Sequence, residues 1–157
     1  MTEPQWLVPE WPAPATIRAA STTRRGGVSA APYDTWNLGS RAGDEPGAVA
    51  ENRRRLATAF GLPDEPLWLW QVHGTTVVDA DHGHPGGPPE ADAAVATRPG
   101  AVAVVQSADC LPVLFADREG RAVGAAHAGW RGLSAGGLEA TVRAMDLPAG
   151  RILAWLG

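Results

Sequence analysis

The chain has 157 residues, 45% of them hydrophobic, with a formal net charge of −4 and a sequence pI of about 5.5. That length supports one domain with its own hydrophobic core. The acidic balance excludes a general electrostatic binder of nucleic acid, since the one basic run, Arg53-Arg54-Arg55, is too short to reverse it. A single cysteine excludes an intrachain disulfide and fits a reducing, cytoplasmic compartment. The start, Met1 to Trp6, lacks the basic and apolar regions of a secretory signal, and no unbroken apolar run reaches about 18 residues, so no membrane span is expected.

Residues 1–14, with four prolines and two tryptophans, read as an extended arm packed by its rings. Thr16 to Ser21 predicts a strand, running into Thr22-Thr-Arg-Arg-Gly-Gly-Val-Ser29, a loop whose paired glycines permit positive φ. Asp44-Glu-Pro46 opens a helix, with a carboxylate near the cap and proline in the first turn. Val49, Leu56 and Phe60 share one of its faces, and Gly61 followed by Pro63 ends it. Short apolar runs then predict strands at Leu67–Val72, Thr75–Asp79, Ala93–Thr97, Ala101–Gln106, Leu111–Ala116 and Ala122–Ala126. A Gly/Pro-rich loop fills Ala80–Glu90. Leu133 to Met145 predicts a second helix, with Leu138, Val142 and Met145 spaced i, i+4, i+7, and Ile152–Leu156 one more strand. Strands dominate and helices flank them, which predicts an α+β layered sandwich.

The chemistry gathers at the ends of these runs. Cys110 lies in Ser107-Ala-Asp-Cys-Leu-Pro112, His73 in Gln71-Val-His-Gly74, and His127 in Ala126-His-Ala-Gly-Trp-Arg-Gly132. Taken singly, Cys110 reads as a small buried hydrophobe and each histidine as a hydrogen-bonded strand end. Together, a thiolate and two imidazoles form a soft-metal tripod suited to zinc or copper, with a coordination position left open. Arg131, on the first turn of the helix after His127, offers a guanidinium for phosphate or carboxylate, or is a surface arginine. Arg24 beside Gly26-Gly27 offers a second anion nest, or a solvated loop residue. Asp109, adjacent to the thiol, can orient a ligand, act as a general base or cap a turn. Trp36 and Trp130 are the tryptophans placed to stack on a flat substrate. His82 and His84 fall in the Gly/Pro loop and are read as solvated.

Six segments carry a family resemblance, in order along nearly the whole chain: Thr22-Thr-Arg-Arg-Gly-Gly-Val-Ser29, Pro32-Tyr-Asp-Thr-Trp-Asn-Leu-Gly39, Glu51-Asn-Arg53, Gln71-Val-His-Gly74, Ala108-Asp-Cys-Leu-Pro112 and Ala126-His-Ala-Gly-Trp-Arg-Gly132. On these motifs the chain resembles the YfiH-like family, variously called polyphenol oxidase (laccase), multifunctional purine nucleoside phosphorylase and peptidoglycan editing factor. The resemblance implies an αββα sandwich of the cysteine-hydrolase-like type and a zinc ion held by His73, Cys110 and His127, with copper as a possible substitute. It further implies phosphorolysis of adenosine, inosine and methylthioadenosine to a base and ribose 1-phosphate, with adenosine deamination as a side activity. Purine nucleoside and phosphate are then the partners, without nucleic acid or membrane. Arg24, Asn37, Gln71 and Arg131 become the candidate substrate or phosphate contacts, and Asp109 the candidate for assisting the leaving base. Peptidoglycan-precursor editing or Cys–His hydrolysis, and an inactive metal-binding fragment, are the alternatives. A multicopper oxidase mechanism is excluded by count, because four histidines and one cysteine cannot build a blue-copper site and a trinuclear cluster. Family members continue beyond the position of Trp155-Leu-Gly157, so the expectation is a single YfiH-like domain over 1–157, truncated at its C-terminus.

Overall fold

The computed structural model describes residues 5–157. The chain divides into two compact units, one made of the residues up to Pro9 with Ala20–Leu62, the other of Glu10–Ala19 with Pro63–Gly157. The first four residues of the expected arm lie outside the described residues. No helix among the described residues is long and apolar enough to cross a membrane.

In the first unit, β1 (Trp6–Leu7) pairs antiparallel with β2 (Ser21–Thr22). Of the strand expected over Thr16–Ser21 only Ser21 is in a strand, and near its start the Ile17 N–H closes a turn onto the Pro14 carbonyl. Helix α1 (Pro46–Phe60) starts with proline in its first turn and stops at Gly61, whose φ of 54° is the left-handed cap that glycine adopts without a Cβ penalty. Its buried face holds Val49 and Leu56, as the spacing predicts, and also Asn52. Asn52 is fully buried because its amide replaces water: Oδ1 accepts from the Val28 N–H, while Nδ2 faces Ser29 Oγ and the carbonyls of Thr35 and Asn37. Gly27 is required in that loop, since a Cβ there would lie 2.0 Å from the Thr35 carbonyl oxygen.

The second unit is built on a five-stranded mixed sheet in the order β3 (Val77–Asp79), β4 (Ala93–Ala96), β6 (Val123–Ala128), β5 (Leu111–Asp117), β7 (Ile152–Leu156). The β3–β4 pair is parallel and the others are antiparallel. Residues alternate between two covered faces. Ala93, Val113, Phe115 and Ala126 pack with Leu138, Val142 and Met145, and Ala94 and Ala96 pack with Leu67, Leu69, Ala103 and Val105. The Leu67–Val72 and Ala101–Gln106 runs are therefore apolar because they cover a sheet face. They do not join the ladder beyond the isolated Trp70–Glu90 bridge. The helix predicted over Leu133–Met145 is broken into α2 (Trp130–Ser134) and α3 (Gly137–Ala144) at Gly136, whose φ is 90°. The glycine pair breaks the apolar spacing by backbone freedom.

Asp117, fully buried at the end of β5, ties three strands together. Its oxygens accept from the Arg151 guanidinium and from the Arg121 N–H that starts the return into β6. Arg151 on both oxygens holds the Asp117 carboxyl below its ordinary value of 3.8 despite burial. A carboxyl lowered on folding adds stability that is present above 3.8 and disappears as pH falls through the folded value. The urea midpoint is thus expected to drop on acidification past 3.8, and Asp117→Asn to lower the neutral-pH midpoint and flatten that acid limb. An unchanged acid limb in the variant would refute the assignment.

Candidate metal centre

The register of the sheet brings the candidate residues to one of its ends. β5 begins with Leu111 opposite Ala128, so Cys110 lies beside the end of β6, where His127 is opposite Pro112. β4 begins with Ala93 opposite Ala126, and the neighbouring His127 N–H donates to the Asp92 carbonyl at 2.7 Å. β3 runs parallel to β4 with Val77 opposite Ala93, so the turn carrying His73 into β3 arrives at the same end. One ligand atom each from His73, Cys110 and His127 all lie within 4.8 Å of one another. The two imidazoles meet edge to face, with centroids 4.8 Å apart. His127 is buried, Cys110 half-buried and His73 exposed, so the cluster opens on one side.

Three features fit a metal here. A thiolate with two imidazoles is a donor set that zinc and copper accept at bond lengths of about 2.0–2.3 Å. The Nδ1 atom of His127 lies 2.9 Å from a carboxylate oxygen of Asp92, which leaves Nε2 as the nitrogen free to coordinate. Gly129 keeps the shared space open, because a Cβ there would sit 2.9 Å from both Cys110 Sγ and His73 Cδ2. Electrostatics at the thiol point the same way. Burial pushes the Cys110 thiol up, and the Asp109 carboxylate, also its hydrogen-bond partner, and that of Asp92 push it further. A cation is what would reverse that sum.

Asp92 holds this end of the sheet together. It is buried, and besides His127 it accepts from the backbone N–H groups of Val72, His73 and Gly74. Burial opposes its ionisation, but the hydrogen bonds from His127 and those three N–H groups prevail, and its carboxyl lies below the usual value. Sequence reasoning missed Asp92. A carboxylate immediately before an apolar strand was the available signal, but its partners His73 and His127 are joined to it only by the pairing of β4 with β3 and β6.

The other expected residues fall in several places. Asp109 is exposed beside the thiol. Arg131 is exposed on the five-residue helix α2, its guanidinium 5.3 Å from the Trp130 ring. Gln71 commits its amide to Gln106, donating to its carbonyl and accepting from its N–H, each at 2.7 Å. Arg24 and Asn37 belong to the first unit. Arg24 forks onto the Asp34 carbonyl and carboxylate, and Asn37 closes a loop onto Gly39 and Asp44. Trp36 is 5% exposed, so its ring is core and cannot stack on a substrate, whereas Trp130 is 74% exposed.

Residues 18–157 match the family model described as multi-copper polyphenol oxidoreductase laccase. The chain is 55% identical over 152 residues to the purine nucleoside phosphorylase PA4543 of Pseudomonas aeruginosa, covering 97% of this chain and 61% of that protein. It is 53% identical over 151 residues to the purine nucleoside phosphorylase YfiH of Escherichia coli, covering 96% and 62%. The crystal structure of the Neisseria meningitidis protein NMB0706 superposes with a TM-score of 0.91 at 48% identity, over 97% of this chain and 62% of that one. The chain thus spans about 62% of the length of these relatives.

Proposed function

Because the chain belongs to the family described as multi-copper polyphenol oxidoreductase laccase, we propose that it holds one zinc ion and acts as a purine nucleoside phosphorylase. Adenosine, inosine and methylthioadenosine are the proposed substrates, with adenosine deamination as a side activity. The observation that carries this reading is the convergence of His73, Cys110 and His127 at one open end of the sheet. Three protein donors leave a position for a reactant, as catalytic zinc sites require. The relatives named purine nucleoside phosphorylase supply the substrate class. The αββα layering implied by the family resemblance is proposed for this chain's fold.

Zinc held by His73, Cys110 and His127 would supply Lewis acidity. The rest falls to the chain's own residues. Arg131 presents a guanidinium suited to phosphate. A phosphate oxygen bonds to the anomeric carbon of the ribose as the bond from that carbon to the base nitrogen breaks. The base takes up a proton as it leaves, and Asp109, exposed beside Cys110, is the proposed relay. A free-thiol nucleophile fits less well, because burial and the Asp109 carboxylate keep the Cys110 thiol protonated. Within residues 1–157 a blue-copper centre would consume both clustered histidines and the cysteine. The other two histidines are exposed in the loop after β3, as expected, away from the cluster.

Inosine incubated with the zinc-loaded protein is expected to yield hypoxanthine and ribose 1-phosphate only when phosphate is present. Hypoxanthine release that ignores phosphate, or none at all, would overturn the proposed reaction.

A further inference from the structure

We infer that Asp92 is the positioning residue of the metal centre, one carboxylate that fixes both histidines in a ligating geometry. The inference rests on reading His73, Cys110 and His127 as metal ligands. Oδ1 of Asp92 accepts the His73 N–H at 2.8 Å and lies 2.9 Å from His127 Nδ1, so the two histidines share one oxygen. Oδ2 accepts the N–H groups of Gly74 at 2.7 Å and Val72 at 3.1 Å. Four donors converge on a side chain that is 3% exposed.

Each bond does something different. At His127 the carboxylate selects the tautomer: a proton on Nδ1 satisfies Asp92, and the Nε2 lone pair is left for a metal. At His73 it holds the backbone. His73 has a φ of 61°, in the left-handed region that a residue with a Cβ occupies only at a cost. Three successive N–H groups from Val72 to Gly74 meet on the one carboxylate, which offsets that cost and fixes where the His73 ring leaves the chain. From the other side, the Gly74 carbonyl is wedged against two glycines, since a Cβ on Gly132 would lie 2.8 Å from it and one on Gly137 3.6 Å. Two further multiply bonded carboxylates of this unit serve elsewhere: Asp117 binds Arg151, and Asp81 binds Thr97 and Arg98.

Two measurements test this. The first is the ¹⁵N spectrum of the histidines in metal-free protein, which reads the tautomer of His127 with no reference to activity. The expected result is a proton on Nδ1 in the wild type and loss of that preference in Asp92→Asn. The second is the affinity for Zn²⁺ alone, by competition with a chromophoric chelator. Asp92→Asn is expected to bind about 10–100-fold more weakly, while Asp81→Asn, which also loses a bonded carboxylate, keeps wild-type affinity. A general loss of stability would lower the melting temperature of both variants without moving the His127 tautomer. Wild-type affinity in Asp92→Asn, or a wild-type His127 protonated on Nε2, would overturn the inference. If Asp92→Asn does not fold, the wild-type spectrum decides by itself. A wild type that binds no Zn²⁺ would instead sink the metal reading, leaving the histidine lock to be decided by that spectrum.

Discussion

Replacing Cys110 with serine is expected to lower Zn²⁺ affinity by roughly 100-fold or more and to remove nucleoside cleavage with it. Zinc sites with a full complement of protein donors bind with roughly 10–16 kcal/mol, so each donor carries about 3 kcal/mol, or two orders of magnitude. Serine keeps the size and the hydrogen bonding of the position but offers a hard oxygen where the donor set supplies a soft sulfur. His127→Ala is expected to lose as much and more. It removes a donor and leaves the Asp92 carboxylate, 3% exposed, without its imidazole partner. Chelator competition on the purified variants checks both. A Cys110→Ser protein that retains wild-type affinity would show that the sulfur is not a ligand.

Gly129→Ala is expected to damage the site almost as severely without touching a ligand. Gly129 has φ −65° and ψ 154°, which alanine adopts freely, so the effect is steric and not conformational. The added methyl would lie 2.9 Å from Cys110 Sγ and 2.9 Å from His73 Cδ2, and relieving it requires at least one of them to move. Overpacking of that kind costs about 1–3 kcal/mol, or roughly 10–100-fold in metal affinity when the displaced atoms are the ligands. Gly150→Ala, where nothing lies within 4 Å of the added carbon, is the matching control and should bind as the wild type does. Equal affinity in the two variants would mean that the space in front of Gly129 is not the metal's.

The convergence of His73, Cys110 and His127 was legible in the sequence because each stands where an apolar run meets a polar or glycine-rich turn, a position that strand geometry translates into a sheet end. β4, β5, β6 and β7 were legible to within two residues for the same reason, and α1 from its proline and glycine ends. Other features depended on pairings that no local pattern records. Leu67–Val72 and Ala101–Gln106 have strand-like composition, yet they are layers over the sheet, clasped by the Gln71 amide on Gln106. Asn52 is polar on an apolar face because the loop around Gly27 and Thr35 arrives to meet it. Asp92 is brought beside His127 by the β4–β6 register, and its carboxylate accepts the N–H of His73, whose φ is left-handed. Arg24 and Asn37, expected from their motifs as substrate contacts, also close the loops that carry them, which no local pattern records.

Zinc K-edge X-ray absorption on the zinc-loaded wild-type protein tests the metal centre most directly, since it counts donors by element. The expected first shell holds one sulfur at about 2.3 Å and two imidazole nitrogens at about 2.0 Å, with a further light atom completing four-coordination. A shell of nitrogen and oxygen alone, with no sulfur, would contradict the assignment of His73, Cys110 and His127 as one metal site.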